Sequence, residues 1–145
     1  MRAEVHEAKV LERWSSATQP MEETHQADLR GRTVRDPDGN DAGRVNDLFV
    51  DPDSGQVRFM EVSTGGLLGI GQKHHLVPLD LIASTNPQTV VLSVPSESVT
   101  DGPEYHEEFI PEVEMDHYAD VYAHYKVQPY WSDGYVYPRS PTTTR

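Results

Sequence analysis

A chain of 145 residues can build one domain with appendages but not two full domains. It contains no cysteine, which excludes disulfides, thiolate catalysis and cysteine-ligated zinc or iron–sulfur centres and leaves chemistry to oxygen and nitrogen ligands. A net charge of −12, half of it in residues 101–145, opposes the phosphate contacts on which binding to bare DNA or RNA depends. No run approaches the ~18 apolar residues of a membrane span, and Met1-Arg2-Ala3-Glu4-Val5-His6-Glu7 has no signal-peptide core, so no membrane insertion and a cytoplasmic location are expected.

In residues 1–28, Val5, Ala8, Leu11 and Trp14 recur at helical spacing before the polar stretch Ser15 to Pro20, predicting a short helix and a linker. Residues 29–100 are expected to form one β-rich domain. Strands are predicted near 32–36, 44–51, 56–64, 74–79 and 89–94, separated by turns such as Asp36-Pro37-Asp38-Gly39 and Asp51-Pro52-Asp53-Ser54-Gly55. Two strands change hydrophobic phase midway, from Val45 to Leu48 and Val50, and from Val57 and Phe59 to Met60 and Val62. A bulge or strong coil accounts for this, and a flat sheet does not. Pro78 lacks an N–H and places its strand at an edge or bulge. Arg30, Arg32, Arg35, Arg44 and Arg58 are close in sequence and read either as a local basic patch or as scattered outward-facing residues.

Residues 101–145 form an acidic extension that holds all seven tyrosines together with Phe109 and Trp131. Asp101-Gly102-Pro103-Glu104 resembles a helix start that Pro111 interrupts. A helix near 112–126 then aligns Met115, Tyr118, Ala119, Tyr122 and Tyr125 in one stripe, which should dock on its own barrel, a sister subunit or a partner protein.

The candidate chemistry has simpler readings beside it. Asp36 to Asp41 with Asp47 loosely imitates a calcium loop, but Asp41 stands where glycine belongs and Asp47 where a bidentate Glu belongs, so a turn is the better account. The loop Gly65-Gly66-Leu67-Leu68-Gly69-Ile70-Gly71 precedes a strand and carries no phosphate-binding fingerprint. Asp116, His117, Asp120 and His124 could share a helix face and hold a divalent metal for hydrolysis, or they could form a solvated polar face. His74 and His75, adjacent on a strand, point to opposite faces.

The span Gly31-Arg32-Thr33-Val34-Arg35-Asp36, Gly39, Gly43-Arg44-Val45-Asn46-Asp47-Leu48-Phe49-Val50-Asp51 and Gly55-Gln56-Val57 closely resembles the PRC-barrel family. The resemblance continues through the glycine loop, Gln72-Lys73 and Leu76-Val77-Pro78-Leu79, and covers about residues 29–97. It implies a mainly β fold: a small antiparallel PRC-type barrel with a helical, aromatic-rich C-terminal extension. The family includes the cytoplasmic domain of the photosynthetic reaction-centre H subunit, the C-terminal domain of a ribosome-maturation factor and stand-alone bacterial proteins. The implied role is a non-catalytic binding or assembly module of the stand-alone kind, and a protein partner and no cofactor are expected. A homodimer is expected because so small a barrel buries a limited core and the tyrosine stripe offers further apolar area to cover. The alternatives are a ribosome or RNA-processing accessory factor, a photosynthetic reaction-centre-related assembly or electron-transfer accessory protein, and the metal-dependent hydrolase. Leu67, Leu68 and Ile70 of the loop, Lys73, and Tyr118, Tyr122 and Tyr125 of the helix are the expected partner-binding residues.

Overall fold

The computed structural model describes residues 10–16, 27–65, 71–138 and 142–143. Its strands are β1 (Glu12–Arg13), β2 (Thr33–Arg35), β3 (Asp41–Val50), β4 (Val57–Thr64), β5 (Lys73–Pro78), β6 (Ile82–Thr85), β7 (Thr89–Leu92) and β8 (Thr142–Thr143). Two helices, α1 (Ser96–Thr100) and α2 (Pro111–Tyr125), follow β7. The strands form one curled sheet in the order β5-β4-β3-β2-β7-β6-β8, a half-barrel, with β1 added on the β2 side of β3. The ten-residue β3 therefore carries β2 against its first half and β1 against its last two residues.

The two phase changes in the sequence are bulges. Val45 pairs with Val62 and Asp47 with Glu61, which makes Asn46 the extra residue on β3. Phe49 pairs with Phe59 and Val50 with Val57, which makes Arg58 the extra residue on β4. Each bulge returns the apolar side chains to the inner face as the sheet curls. Pro78 lies at the end of the edge strand β5, opposite Phe59, where its missing N–H disturbs no ladder.

All eight residues of β4 are buried, because both faces of the sheet are covered. The inner core gathers Val34, Val45, Leu48, Met60, Val62, Val77, Val90 and Leu92, with Val99 of α1 packed in the same cluster. The outer face carries Phe49, Phe59 and Leu76 beneath Tyr105, Tyr118, Val121 and Tyr122 of the C-terminal extension. Phe59 meets the rings of Tyr118 and Tyr122 at 5.2 and 5.0 Å, and Phe49 meets Tyr105 edge-on at 5.2 Å. Such aromatic pairs add ~0.5–1.5 kcal/mol each beyond the area they bury.

The structure departs from the sequence reading at four points. The sheet is mixed and not wholly antiparallel, since β2 runs parallel to β7 and β6 parallel to β8. The expected N-terminal helix is absent where its end is described: Glu12–Arg13 is a strand held by the edge of β3, and Trp14–Ser16 is a single 3₁₀ turn. Val5 and Ala8 lie outside the described residues. Asp101 to Glu104 do not start a helix, because Asp101 ends α1 and Glu104 bridges to His75 on β5. Pro111 opens α2 and does not interrupt a helix; its missing N–H is one that a first turn leaves unbonded in any case.

Candidate functional site

Beyond the extension, the outer face of the sheet is polar. Pairing across four strands sets Thr33, Arg44, Ser63 and His74 in one row, and Asp47, Glu61 and Leu76 in the next. Asp47 and Glu61 are buried, and two adjacent buried carboxylates require a cation. Arg13 supplies it. Its guanidinium donates to Glu61 at 2.7 Å and to Asp47 at 3.3 Å, and lies 5.0 Å from the ring centre of Phe49 and 5.8 Å from that of Tyr105. Burial pulls the Arg13 pKa down, but hydrogen bonds and charge from Glu61 and Asp47 raise it on balance, so the group stays charged. The Ser15 hydroxyl donates to Asp47 at 2.7 Å and the Asn46 amide to Glu61 at 3.0 Å.

Beside this network lies a cleft of about 340 Å³ lined by Asp41, Gly43, Arg44, Asn46, Ser63, Gly65 and Gln72. Gly43 shapes its floor. At φ +120° a Cβ there would sit 2.5 Å from the Ser63 carbonyl oxygen and 2.7 Å from Val62, so only glycine lets β3 approach β4 this closely. Arg44 is exposed and, among the described residues, donates only to the Gly31 carbonyl, at 3.4 Å. Ser63 Oγ is 3.2 Å from His74 Nδ1, and Glu61 is 3.6 Å from that same nitrogen. A nucleophile–base–acid relay needs partners on opposite ring nitrogens; this set shares one and is arranged for hydrogen bonding.

The expected site residues separate. Leu67, Leu68 and Ile70 lie outside the described residues, but the loop's two ends, Gly65 (φ +66°) and Gly71 (φ +78°), do not. Lys73 is exposed and pairs with Glu104 at 3.4 Å. Tyr118 and Tyr122 are completely buried against the chain's own sheet and Tyr125 is half-buried, which corrects their reading as a partner surface. The Tyr118 hydroxyl donates to the buried Glu114 carboxylate and accepts from Leu11 N at 3.2 Å, which ties α2 to the N-terminal strand. The helix presents Glu114, His117, Tyr118, Val121 and Tyr122 to the sheet, a stripe rotated from the predicted one; Ala119 is exposed and His117 is inside. Asp116, Asp120 and His124 face solvent, so the four proposed metal ligands do not converge, and the described residues contain no group of three or more His, Asp or Glu placed to hold a metal ion.

In the sequence, Asp47 enters only through a calcium-like loop and His74 only through its facing, and the Arg13–Asp47–Glu61 network and the Ser63–His74 contact were missed. One signal was present: Glu61 interrupts the apolar run Phe59-Met60-Glu61-Val62, and a charge within such a run is either paired or misplaced.

A half-open, curled β-sheet with glycine at its tightest strand crossing and a polar cleft at the foot of a glycine loop defines a small barrel module. The chain belongs to the PRC-barrel family: the model of the PRC-barrel domain matches residues 21–99, more than half of its length. No curated protein matches the chain. Among the described residues, no helix is long and apolar enough to cross a membrane.

Proposed function

We propose that the protein is a non-catalytic assembly module that binds a protein partner through the end of the barrel where the cleft and the glycine loop meet. One observation carries this reading. The cleft presents exposed polar groups, chiefly the Arg44 guanidinium and the Gln72 side chain, and its lining includes Gly65 and Gln72, the residues that bracket Leu67, Leu68 and Ile70 in the sequence. A polar cleft bracketed in sequence by an apolar run suits a protein segment, which supplies both kinds of group. Self-association as a twofold homodimer belongs to the same proposal and would use this end, since the tyrosine helix is occupied.

The test pairs Arg44→Glu with the double change Leu67→Asp, Leu68→Asp. Affinity purification with mass spectrometry on the wild-type chain identifies the partner, and each variant is then measured against it while circular dichroism follows melting. Both variants should keep the wild-type melting temperature within a few degrees and lose at least ~10-fold in affinity. Undiminished binding by both would overturn the assignment. A collapse in melting temperature of the loop variant would retire the loop as a contact surface, because buried carboxylates would then be the cause.

A further inference from the structure

The segment from Asp101 to Ile110 runs between the edge of β5 and helix α2. The Tyr105 N–H donates to the His74 carbonyl at 2.7 Å and Glu104 bridges opposite His75, so this segment closes an otherwise open sheet edge. An imidazole from each neighbouring element holds it. His75 of β5 is 2% exposed, its Nδ1 lies 3.2 Å from the Pro103 carbonyl, and its Nε2 is buried with no hydrogen-bond partner among the described residues. His117 of α2 is 6% exposed, lies 5.5 Å from the Tyr105 ring and 5.3 Å from the Phe109 ring, and also has a buried Nε2 with no partner among the described residues. A neutral imidazole tolerates one bare nitrogen. An imidazolium carries N–H at both, so protonation would create a charged buried donor with no acceptor.

We propose that residues 101–125 form an acid-released latch, in which protonation of His75 and His117 detaches this segment and α2 from the sheet and uncovers Phe49, Phe59, Leu76 and the β5 edge. The groups that face the two imidazoles are few. Glu104 favours a charge on His75 and Lys73 opposes it; Asp120 favours a charge on His117, whereas His106 and His75 oppose it. Burial outweighs the two carboxylates, holding His117 down at about 4 and lowering His75 in the same direction. A base whose folded pKa lies below its unfolded value near 6.5 favours the closed state fully above that value. The advantage is lost as pH falls from about 6.5 towards 4. From His117 alone, the opening constant should rise about 20-fold between pH 7 and pH 5.

Hydrogen exchange on the full chain at pH 7 and pH 5, corrected for intrinsic rates, tests this. Peptides from 101–125 should lose protection at least 20-fold while those from β3 and β4 keep theirs. His117→Phe retains a ring among Tyr105 and Phe109, and His75→Asn retains a donor towards the Pro103 carbonyl. The double variant should abolish the acid response. If His117→Phe does not fold, His75→Asn alone should still reduce the response measurably. The latch is overturned by unchanged protection at pH 5, by simultaneous loss across 101–125 and β3–β4, or by a wild-type response in the variants.

Discussion

Gly43 shows how one residue can decide a barrel's curvature. Its backbone lies at φ +120°, and β3 passes close enough to β4 that a methyl group would overlap the Ser63 carbonyl oxygen. Gly43→Ala combines backbone strain with that overlap and should cost ~3 kcal/mol or more in urea unfolding. Gly39→Ala, at φ +86° with open space around it, should cost only ~1 kcal/mol from the backbone. Equal effects at the two positions would show that the close approach has no energetic role. Asp36 illustrates a different economy. Its carboxylate accepts from the N–H groups of Asp38 and Asn40 in its own turn and from Ser96 N at the start of α1, joining the turn to the helix that follows the barrel. Burial works against this charge, but those hydrogen bonds hold its pKa down at about 2. Its contribution to stability is therefore present above about 4 and is lost only as pH falls towards 2, well below the window of the histidine latch.

At the scale of elements, helix α2 has weak ends and a strong face. No side chain caps its N-terminus, and its C-terminus is closed by backbone bonds from Lys126 N–H to the Ala123 carbonyl and from Val127 N–H to that of Tyr122, with Lys126 in the left-handed conformation at φ +60°, where a side chain is strained. Lys126→Gly should raise stability by ~0.5–1 kcal/mol in thermal or urea unfolding, and a loss would mean that the lysine side chain contributes more than its backbone costs. The helix was legible in the sequence to within a residue at either end, but its facing was not, because Tyr118 and Tyr122 belong to both candidate stripes and only contact with the sheet makes His117 and Val121 the inward neighbours. The bulges were legible because a change of hydrophobic phase has few other causes, and they appear at Asn46 and Arg58. The parallel β2–β7 pairing was not, since nothing local to Thr33–Arg35 or Thr89–Leu92 encodes direction. Arg13 was hidden for the same reason: its role depends on Asp47 and Glu61, 34 and 48 residues away, and no local pattern announces a partner so distant. Helical spacing near Leu11 and Trp14 gave way to pairing with β3, a tertiary contact overriding a short local preference.

At the scale of the whole molecule, the two terminal segments consume the outer face of the sheet: Leu11 and Arg13 from one side, and Tyr105, Tyr118 and Tyr122 from the other. Among the described residues, what remains for contact is the cleft end and scattered apolar side chains such as Ile110, Val113 and Val136. The same accounting applies to charge. Arg13 and Arg58 are paired with buried or half-buried carboxylates and Arg30 with Asp28, which leaves Arg32, Arg35 and Arg44 with backbone carbonyls as their hydrogen-bond partners. Among the described residues, about three arginines could then reach phosphates, against a net charge of −12 for the chain. Three contacts give a slope of log K on log salt near −3, too shallow to sustain tight sequence-independent binding against that repulsion. A mobility-shift titration with duplex DNA and with structured RNA near physiological salt should show no submicromolar complex. Submicromolar binding that strengthens with length and is abolished by Arg44→Glu would instead make the row from Thr33 to His74 a nucleic-acid surface, and would replace the protein partner with an RNA or DNA one.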